Sequence, residues 1–155
     1  MALMTNLQRF LAAASVALLA GRAALVATPA AAEDARVLAK LTPAAQETLR
    51  QEMLDNLLAL NEILSLLADN KVKEAGEVAE ERLGRGAMGK NARLPFEARP
   101  GPQMPREMHK LAIDGHFAAS EFAGTAASGN RDATLAKLPA LMGACIACHA
   151  VYRTR

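Results

Sequence analysis

The sequence contains no tryptophan, one tyrosine and four phenylalanines, so aromatic residues make up only 3% of the chain. Strands are enriched in aromatic and β-branched residues, and no stretch shows the apolar–polar alternation of a half-buried strand. Alanine and leucine dominate instead, and both are strong helix formers. These features predict an all-α protein.

Only two cysteines are present, and this limits the kinds of site that the chain can build. Two thiols cannot form a closed structural zinc site of the usual cysteine-rich kind. The sequence also shows no paired carboxylates, nucleophile–base pair or phosphate-binding loop. We therefore expect a protein that is not an enzyme.

The formal net charge of +2 is unevenly distributed. Arg9 and Arg22 lie in the first 32 residues, which contain no acidic residue, so the remainder has 18 − 2 = 16 basic and 16 acidic residues. A balanced charge does not favour binding to nucleic acid. We expect no nucleic-acid partner.

Residues 1–32 have the pattern of an export signal. Arg9 precedes an apolar stretch over residues 11–20, and three alanines at 30–32 offer an A-x-A cleavage site. Arg22 interrupts the apolar run, whereas a membrane-spanning helix needs about 20 continuous apolar residues. We expect a signal peptide at 1–32, a periplasmic domain at 33–155 and no membrane span after signal removal; a retained amphipathic anchor is the alternative.

A C-x-x-C-H motif lies near the C-terminus, at Cys145, Cys148 and His149. This is the attachment motif of a c-type haem, in which two thiols form thioethers with the vinyl groups and the imidazole binds the iron. On a helix the three residues share one side. A disulfide across two helical residues would be strained, and a thioredoxin-like pair would begin a helix that follows a strand. We therefore expect one covalent haem c, with His149 as an axial ligand.

Four helices are predicted from apolar spacing and cap residues. Thr42 as N-cap and Pro43 begin the first helix, which ends near residues 69–70, and the second spans about 71–83 before Gly84. The inward side of the first helix is expected to carry Leu49, Met53, Leu57, Leu60, Leu64 and Leu67.

A loop rich in glycine and proline follows over residues 84–105. Its apolar residues are expected to seal the open end of the bundle, with contact to the haem edge as the alternative: Met88, Leu94, Phe96 and Met104. Pro105 begins the third helix, and Asp132 is expected to cap the fourth. Pro139 should either kink the fourth helix or mark where its regular part begins. The core is expected to contain, with the haem, Leu57, Leu60, Leu64, Val78, Phe122, Leu138 and Met142.

Four helices with C-x-x-C-H in the last one resemble the cytochrome c-prime family. The resemblance covers about residues 41–153 and is strongest over 143–153. It implies an antiparallel four-helix bundle that transfers electrons to redox partner proteins, binds diatomic gases such as NO or CO, or does both. It also implies a homodimer through the first two helices. The alternatives are a six-coordinate electron carrier and, less favoured, a peroxidase-like enzyme.

The resemblance also implies roles for individual residues. Arg50 and Gln51 would meet a haem propionate, which a guanidinium binds well, although Arg50 can equally be an exposed charge. Arg153 would lie beside the proximal imidazole, or serve only as a cation at the helix C-terminus. Leu54 would cover the distal side of an open, five-coordinate iron.

Three other side chains are alternative sixth ligands to the iron. Met53 lies beside Leu54, and the third predicted helix carries His109 and His116. A strong sixth ligand would close the iron and favour electron transfer, whereas an apolar distal side would leave it open to small gases. The two histidines, the long loop and the scarcity of aromatics depart from the familiar members of the family.

Overall fold

In the computed structural model, which describes residues 33–155, four long α-helices account for most of the chain. The predicted signal peptide and its cleavage site lie outside the described residues. The elements are β1 (Val37–Leu38), α1 (Pro43–Ala68), α2 (Val72–Arg82), α3 (Arg106–Ala126), a short α4 (Arg131–Leu135), α5 (Leu138–Val151) and β2 (Tyr152–Arg153). The prediction of an all-α protein is confirmed at this level.

The start of α1 follows from two adjacent residues. The Thr42 hydroxyl accepts a hydrogen bond from the Ala45 amide at 3.2 Å, and Pro43 occupies the first helical turn. The hydroxyl thereby satisfies one of the free amides at the helix N-terminus. The helix ends at Ala68, and Asn70 turns the chain with φ 59°. Both ends of α1 lie where the sequence predicts them.

The fourth predicted helix is divided into two. Asn130, not Asp132, is the N-cap of α4, and its side chain accepts from the Ala133 amide at 3.0 Å. The chain leaves the helix after Leu135, and α5 begins with Pro139 in its first turn. Proline is favoured there because the first amides of a helix have no partner within it. Pro139 therefore marks where the regular helix begins.

Two short strands were not expected. Val37 pairs with Tyr152 and Leu38 with Arg153 in a parallel ladder, which the Ala39 amide extends by a 2.8 Å bond to the Arg153 carbonyl. The expectation that no strand would form is wrong, because two residues are too short to show alternation and their partner lies at the other end of the chain. The ladder joins the segment before α1 to the end of α5.

The helices pack in sequence around an apolar core. Within residues 35–155, α1 packs on α2, α2 on α3 and α3 on α5. The main cluster is built from leucine, isoleucine, valine and phenylalanine with many alanines: Ile63, Leu67, Val72, Ala75, Ala79, Ala119, Phe122, Ala126 and Leu141. Small side chains allow helix backbones to approach closely.

The predicted core was only partly correct. Phe122 is fully buried, and Leu60, Val78 and Leu138 pack against the main cluster. Three other residues that were predicted to lie in the core are exposed: Leu57, Leu64 and Met142. The buried side of α1 instead carries Ala45, Leu49, Ala59, Ile63 and Leu67. Leu49 and Leu67 are buried as predicted, but between them Ala59 and Ile63 are buried in place of the adjacent Leu60 and Leu64.

Gly76 marks the closest approach of α2 to α3. A Cβ atom built there would lie 2.7 Å from the Ala126 Cβ and 3.2 Å from the Ala123 carbonyl. We expect Gly76→Ala to lower the free energy of unfolding by up to about 2 kcal/mol, because overpacking costs more than helix propensity gains. Gly124→Ala is the matched control in α3, since no atom lies within 4 Å of its added Cβ. Urea unfolding should show that Gly124→Ala raises the free energy of unfolding by up to about 1 kcal/mol. Equal gains in both variants would contradict the close contact.

Candidate functional site

The C-x-x-C-H motif occupies the last turns of α5. Cys145 and His149 are exposed, whereas Cys148 is half-buried against a second apolar cluster that contains Leu49 and Met108. Both cysteines are free thiols, and partial desolvation by the surrounding atoms raises the pKa of each; the neighbouring Cys145 further raises that of Cys148. The pair lies in the last turns of α5, whereas a thioredoxin-like pair begins a helix that follows a strand.

Cys145 and His149 lie on a side of α5 that the protein leaves uncovered. Towards α3 the helix is closely packed, since a Cβ at Gly115 would lie 3.5 Å from the Ala144 Cβ, and Leu141 is buried. The side that carries Cys145 and His149 also exposes Met142 and Ile146. Ile146 is 63% exposed. This combination of thiols, imidazole and apolar side chains suits a large apolar group.

A second uncovered apolar side belongs to α1. Arg82 of α2 donates to Glu62 at 2.7 Å and to the Asp55 carbonyl at 3.2 Å, which places α2 on that side of α1. At roughly 100° per residue, the opposite side carries Met53, Leu57 and Leu64, all exposed. Leu57 is 63% exposed. A group that covered this side of α1 would remove these apolar side chains from water, which is favourable.

Helix α1 is bonded near its two ends to the segments that flank α5, and residues of both helices contribute to the two apolar clusters. At one end the Gln46 side chain donates to the Thr154 carbonyl at 2.9 Å, next to the β1–β2 ladder. At the other end Arg131 donates to the Leu67 carbonyl at 3.2 Å. The most extensive helix contacts of α1 are with α2, and those of α5 are with α3. The exposed apolar side of α1 and the exposed side of α5 are therefore not covered by these contacts, and we call the space that they border the opening.

Arg50 and Gln51 together bind a carboxylate. The Arg50 guanidinium donates to Glu47 at 2.9 and 2.6 Å, and the Gln51 amide donates to the same carboxylate at 2.9 Å. The hydrogen bond from Arg50 and, as a smaller effect, the hydrogen bond from Gln51 lower the pKa of Glu47 to about 2. The donor set therefore fits a carboxylate such as a haem propionate, but it is already engaged by a carboxylate of the chain.

Met53 and Leu54 lie on different sides of α1. Leu54 is roughly opposite the buried positions Leu49 and Ile63, and its side chain is exposed. Met53 lies on the side that borders the opening towards α5. Of the two, Met53 is therefore the better placed towards the motif.

The histidines of α3 are held by other elements. The Nδ1–H of His116 donates to the Leu83 carbonyl at 2.7 Å and to the Gly84 carbonyl at 3.1 Å, at the end of α2. His109 lies beside the loop, where its Nε2 would be 3.5 Å from a Cβ at Gly101. His116 thus faces the α2 side of the bundle, whereas Gly115 is the position of α3 that faces α5.

Arg153 is held by the N-terminal segment. It lies in β2, and its Nε donates to the Arg36 carbonyl at 3.3 Å. The Arg36 side chain in turn donates to the His149 carbonyl at 3.3 Å. These bonds connect Arg153 to the backbone of His149, so this end of α5 is positioned by residues that precede α1.

The sequence reasoning missed Glu52. This carboxyl is half-buried on α1 and accepts a hydrogen bond from the Asn91 amide. Burial raises its pKa, and this effect outweighs the opposing charges of Lys90 and His116. The sequence does contain a sign of this burial: Glu52 lies three residues after the buried Leu49, so the two side chains share one side of the helix.

The loop residues do not form the predicted seal. Met104 packs against the second apolar cluster, but Met88, Leu94 and Phe96 are exposed. Hydrogen bonds hold the loop instead: Gln103 accepts from the Thr42 amide at 3.0 Å and donates to loop carbonyls. The loop is thereby attached to the start of α1.

Residues Arg131–Val151 are long and apolar enough to cross a membrane, judged by length and composition alone. Only 11% of the tested window is buried within the protein. This low buried fraction agrees with the exposure of Met142 and Ile146 on one side of α5. Within residues 33–155, no group of three or more histidine, cysteine or acidic side chains could hold a metal ion.

Comparisons with protein-family models, with curated proteins and with solved structures find no match to this chain.

Proposed function

We propose that the protein is an exported c-type cytochrome with one covalent haem, which transfers electrons, binds a diatomic gas such as NO or CO, or does both. The observation that carries this proposal is the position of Cys145, Cys148 and His149. They lie on one side of α5, next to an opening whose α1 side is apolar and uncovered. A haem is a flat apolar group that would cover both sides at once.

The chain's own residues have distinct roles in this proposal. Cys145 and Cys148 would hold the haem through thioethers, His149 would supply an imidazole to the iron, and Met53 and Leu57 would cover one side. Bound haem supplies a reversible one-electron couple and a site for small ligands. The start of α1 is bonded to the segment after α5, and its end is bonded to α4, which precedes α5; these bonds support an antiparallel arrangement of α1 and α5. Export is required because the haem is attached outside the bacterial cytoplasm.

A second candidate, the six-coordinate electron carrier, is favoured by the position of Met53. Met53 borders the opening, whereas Leu54 lies on the outward side of α1 and His116 is bonded to carbonyls at the end of α2. The position of His116 also weakens the peroxidase-like alternative, which relied on that imidazole. A thioether ligand at this position would close the iron.

The spectra of the haem protein test both candidates. Protein matured in an export-competent host should show a c-type haem spectrum, with low-spin iron that responds weakly to carbon monoxide. Met53→Ala should convert the iron to a high-spin form that binds the gas readily, because the sixth ligand is lost. Absorption and paramagnetic resonance of the ferric and ferrous forms, with and without carbon monoxide, measure both states.

Leu54→Ala and His116→Ala are the controls for this experiment. Each should leave the low-spin spectrum unchanged. A high-spin wild-type protein that binds the gas would eliminate the methionine ligand and favour the gas-binding role. Conversion by His116→Ala alone would transfer the ligand role to that histidine, and purified protein without haem would refute the whole proposal.

A further inference from the structure

Arg99 closes a short helical turn within the loop and is held there from both sides. The turn spans Phe96–Ala98, and the Arg99 amide donates to the Phe96 carbonyl at 3.1 Å. The Arg99 carbonyl accepts from the Gln103 side chain at 3.2 Å. The next residue, Pro100, is buried. Hydrogen bonds therefore hold the backbone of Arg99 in place without any contribution from its side chain.

The guanidinium of Arg99 has no acceptor within residues 33–155. Its Nε is buried and forms no hydrogen bond, and neither an ion pair nor another side-chain hydrogen bond is made by this residue. Its one described contact is with the Phe96 ring, whose centroid lies 5.6 Å from the guanidinium carbon. A buried donor without an acceptor costs about 1–3 kcal/mol. The Nε–H of this half-buried cation is therefore a donor that an anion could accept from.

This part of the loop lies at the end of the bundle that carries the motif. The Thr42 hydroxyl donates to the Glu97 carbonyl, so the turn before Arg99 is attached to the start of α1. Met104, at the end of the same loop segment, packs against the apolar cluster that also contacts Cys148. The loop segment that contains Arg99 is therefore attached at Glu97 to the start of α1 and at Met104 to the cluster that Cys148 contacts.

The chemistry of a haem identifies the anion that would fit. The thioethers occupy the vinyl edge, so the two propionates at the opposite edge must find partners outside the motif. A planar guanidinium binds a carboxylate with two parallel bonds. Arg50, which the resemblance assigned to this role, already has such bonds to Glu47, whereas Arg99 has none.

We infer that Arg99 binds a propionate carboxylate of the haem. This inference rests on the proposed function and adds a residue that neither the motif nor the resemblance assigns. Removal of the guanidinium leaves the propionate without its counter-ion, so its ionised form is less stable.

Arg99→Gln tests the inference in the haem protein. Mass spectrometry first establishes that the wild-type and variant proteins carry one haem, so that failure of the proposed function is recognised separately. Proton NMR of the ferric protein then follows the propionate methylene signals as a function of pH. We expect the pKa of one propionate to rise by about 1–3 units in Arg99→Gln, with a smaller rise in Arg99→Lys, which keeps the charge but loses the planar fork.

Arg93→Gln is the matched control, because Arg93 is an exposed arginine of the same loop and its replacement removes the same charge. The methylene signals separate propionate ionisation from that of His109, which lies beside Gly101. If Arg99→Gln and Arg93→Gln titrate alike, the inference is wrong. It is also wrong if the rise appears only in Arg50→Gln, which would restore the role implied by the resemblance. Circular dichroism verifies that each variant is folded.

Discussion

Replacing Cys145 and Cys148 together by alanine should abolish haem attachment and destabilise the protein. Without the haem, the uncovered sides of α1 and α5 remain in water, including Leu57 and Ile146. Apolar surface left in water forfeits roughly 25 cal/mol per Å². We expect a loss of about 3 kcal/mol or more, which corresponds to a decrease in melting temperature of about 10 °C. Mass spectrometry and thermal unfolding followed by circular dichroism measure the two effects.

Val151→Ala is the control for this prediction. It shortens an exposed side chain of α5 that lies away from the side carrying Cys145 and His149, so it should retain the haem with a small change in melting temperature. The double-alanine protein should also unfold less cooperatively, since the haem would no longer connect α1 and α5. A double variant that melts as high as the haem protein would show that the haem is not part of the core.

Phe122→Ala should be the most damaging single substitution in the core. Phe122 is 0% exposed and lies in the main cluster formed by residues of α1, α2, α3 and α5. Removal of a buried phenylalanine side chain costs about 3–5 kcal/mol, because it forfeits apolar burial and leaves a cavity. Urea unfolding of the haem protein should show this loss as a lower midpoint with an unchanged slope.

Phe117→Ala provides the matched comparison in the same helix. Phe117 is 48% exposed, and its ring lies 5.6 Å from the Arg85 guanidinium carbon. Its replacement should cost no more than about 1 kcal/mol, the size of an exposed cation–π contact. Similar losses in the two variants would contradict the difference in burial between the two rings.

The sequence predicts the helix boundaries well where a local residue decides them. Thr42 with Pro43, Gly84 and Pro139 each act within one turn of the chain, so their effects do not depend on distant contacts. Asn130 was missed because Asn130 and Asp132 can both cap a helix. The choice between them depends on the path of the preceding turn, which includes Gly129 at φ 75°.

For the candidate site, the sequence predicted the arrangement of the motif residues but not their surroundings. Cys145, Cys148 and His149 share a side of α5 because helical spacing alone determines this. The neighbours of that side could not be predicted in the same way. Met53 and Leu54 are adjacent in sequence, and only the packing of α2 against α1 decides which of them borders the opening.

The sequence by itself determined the helical class, most helix ends and the placement of the C-x-x-C-H residues on one side of a helix, because these depend on residues within a few positions of one another. Tertiary structure decided which side of α1 is buried, where His116 donates its hydrogen bond and that β1 pairs with β2. It also left Arg99 without an acceptor. These features depend on contacts between residues far apart in the chain, and a periodic pattern does not specify which distant residues meet.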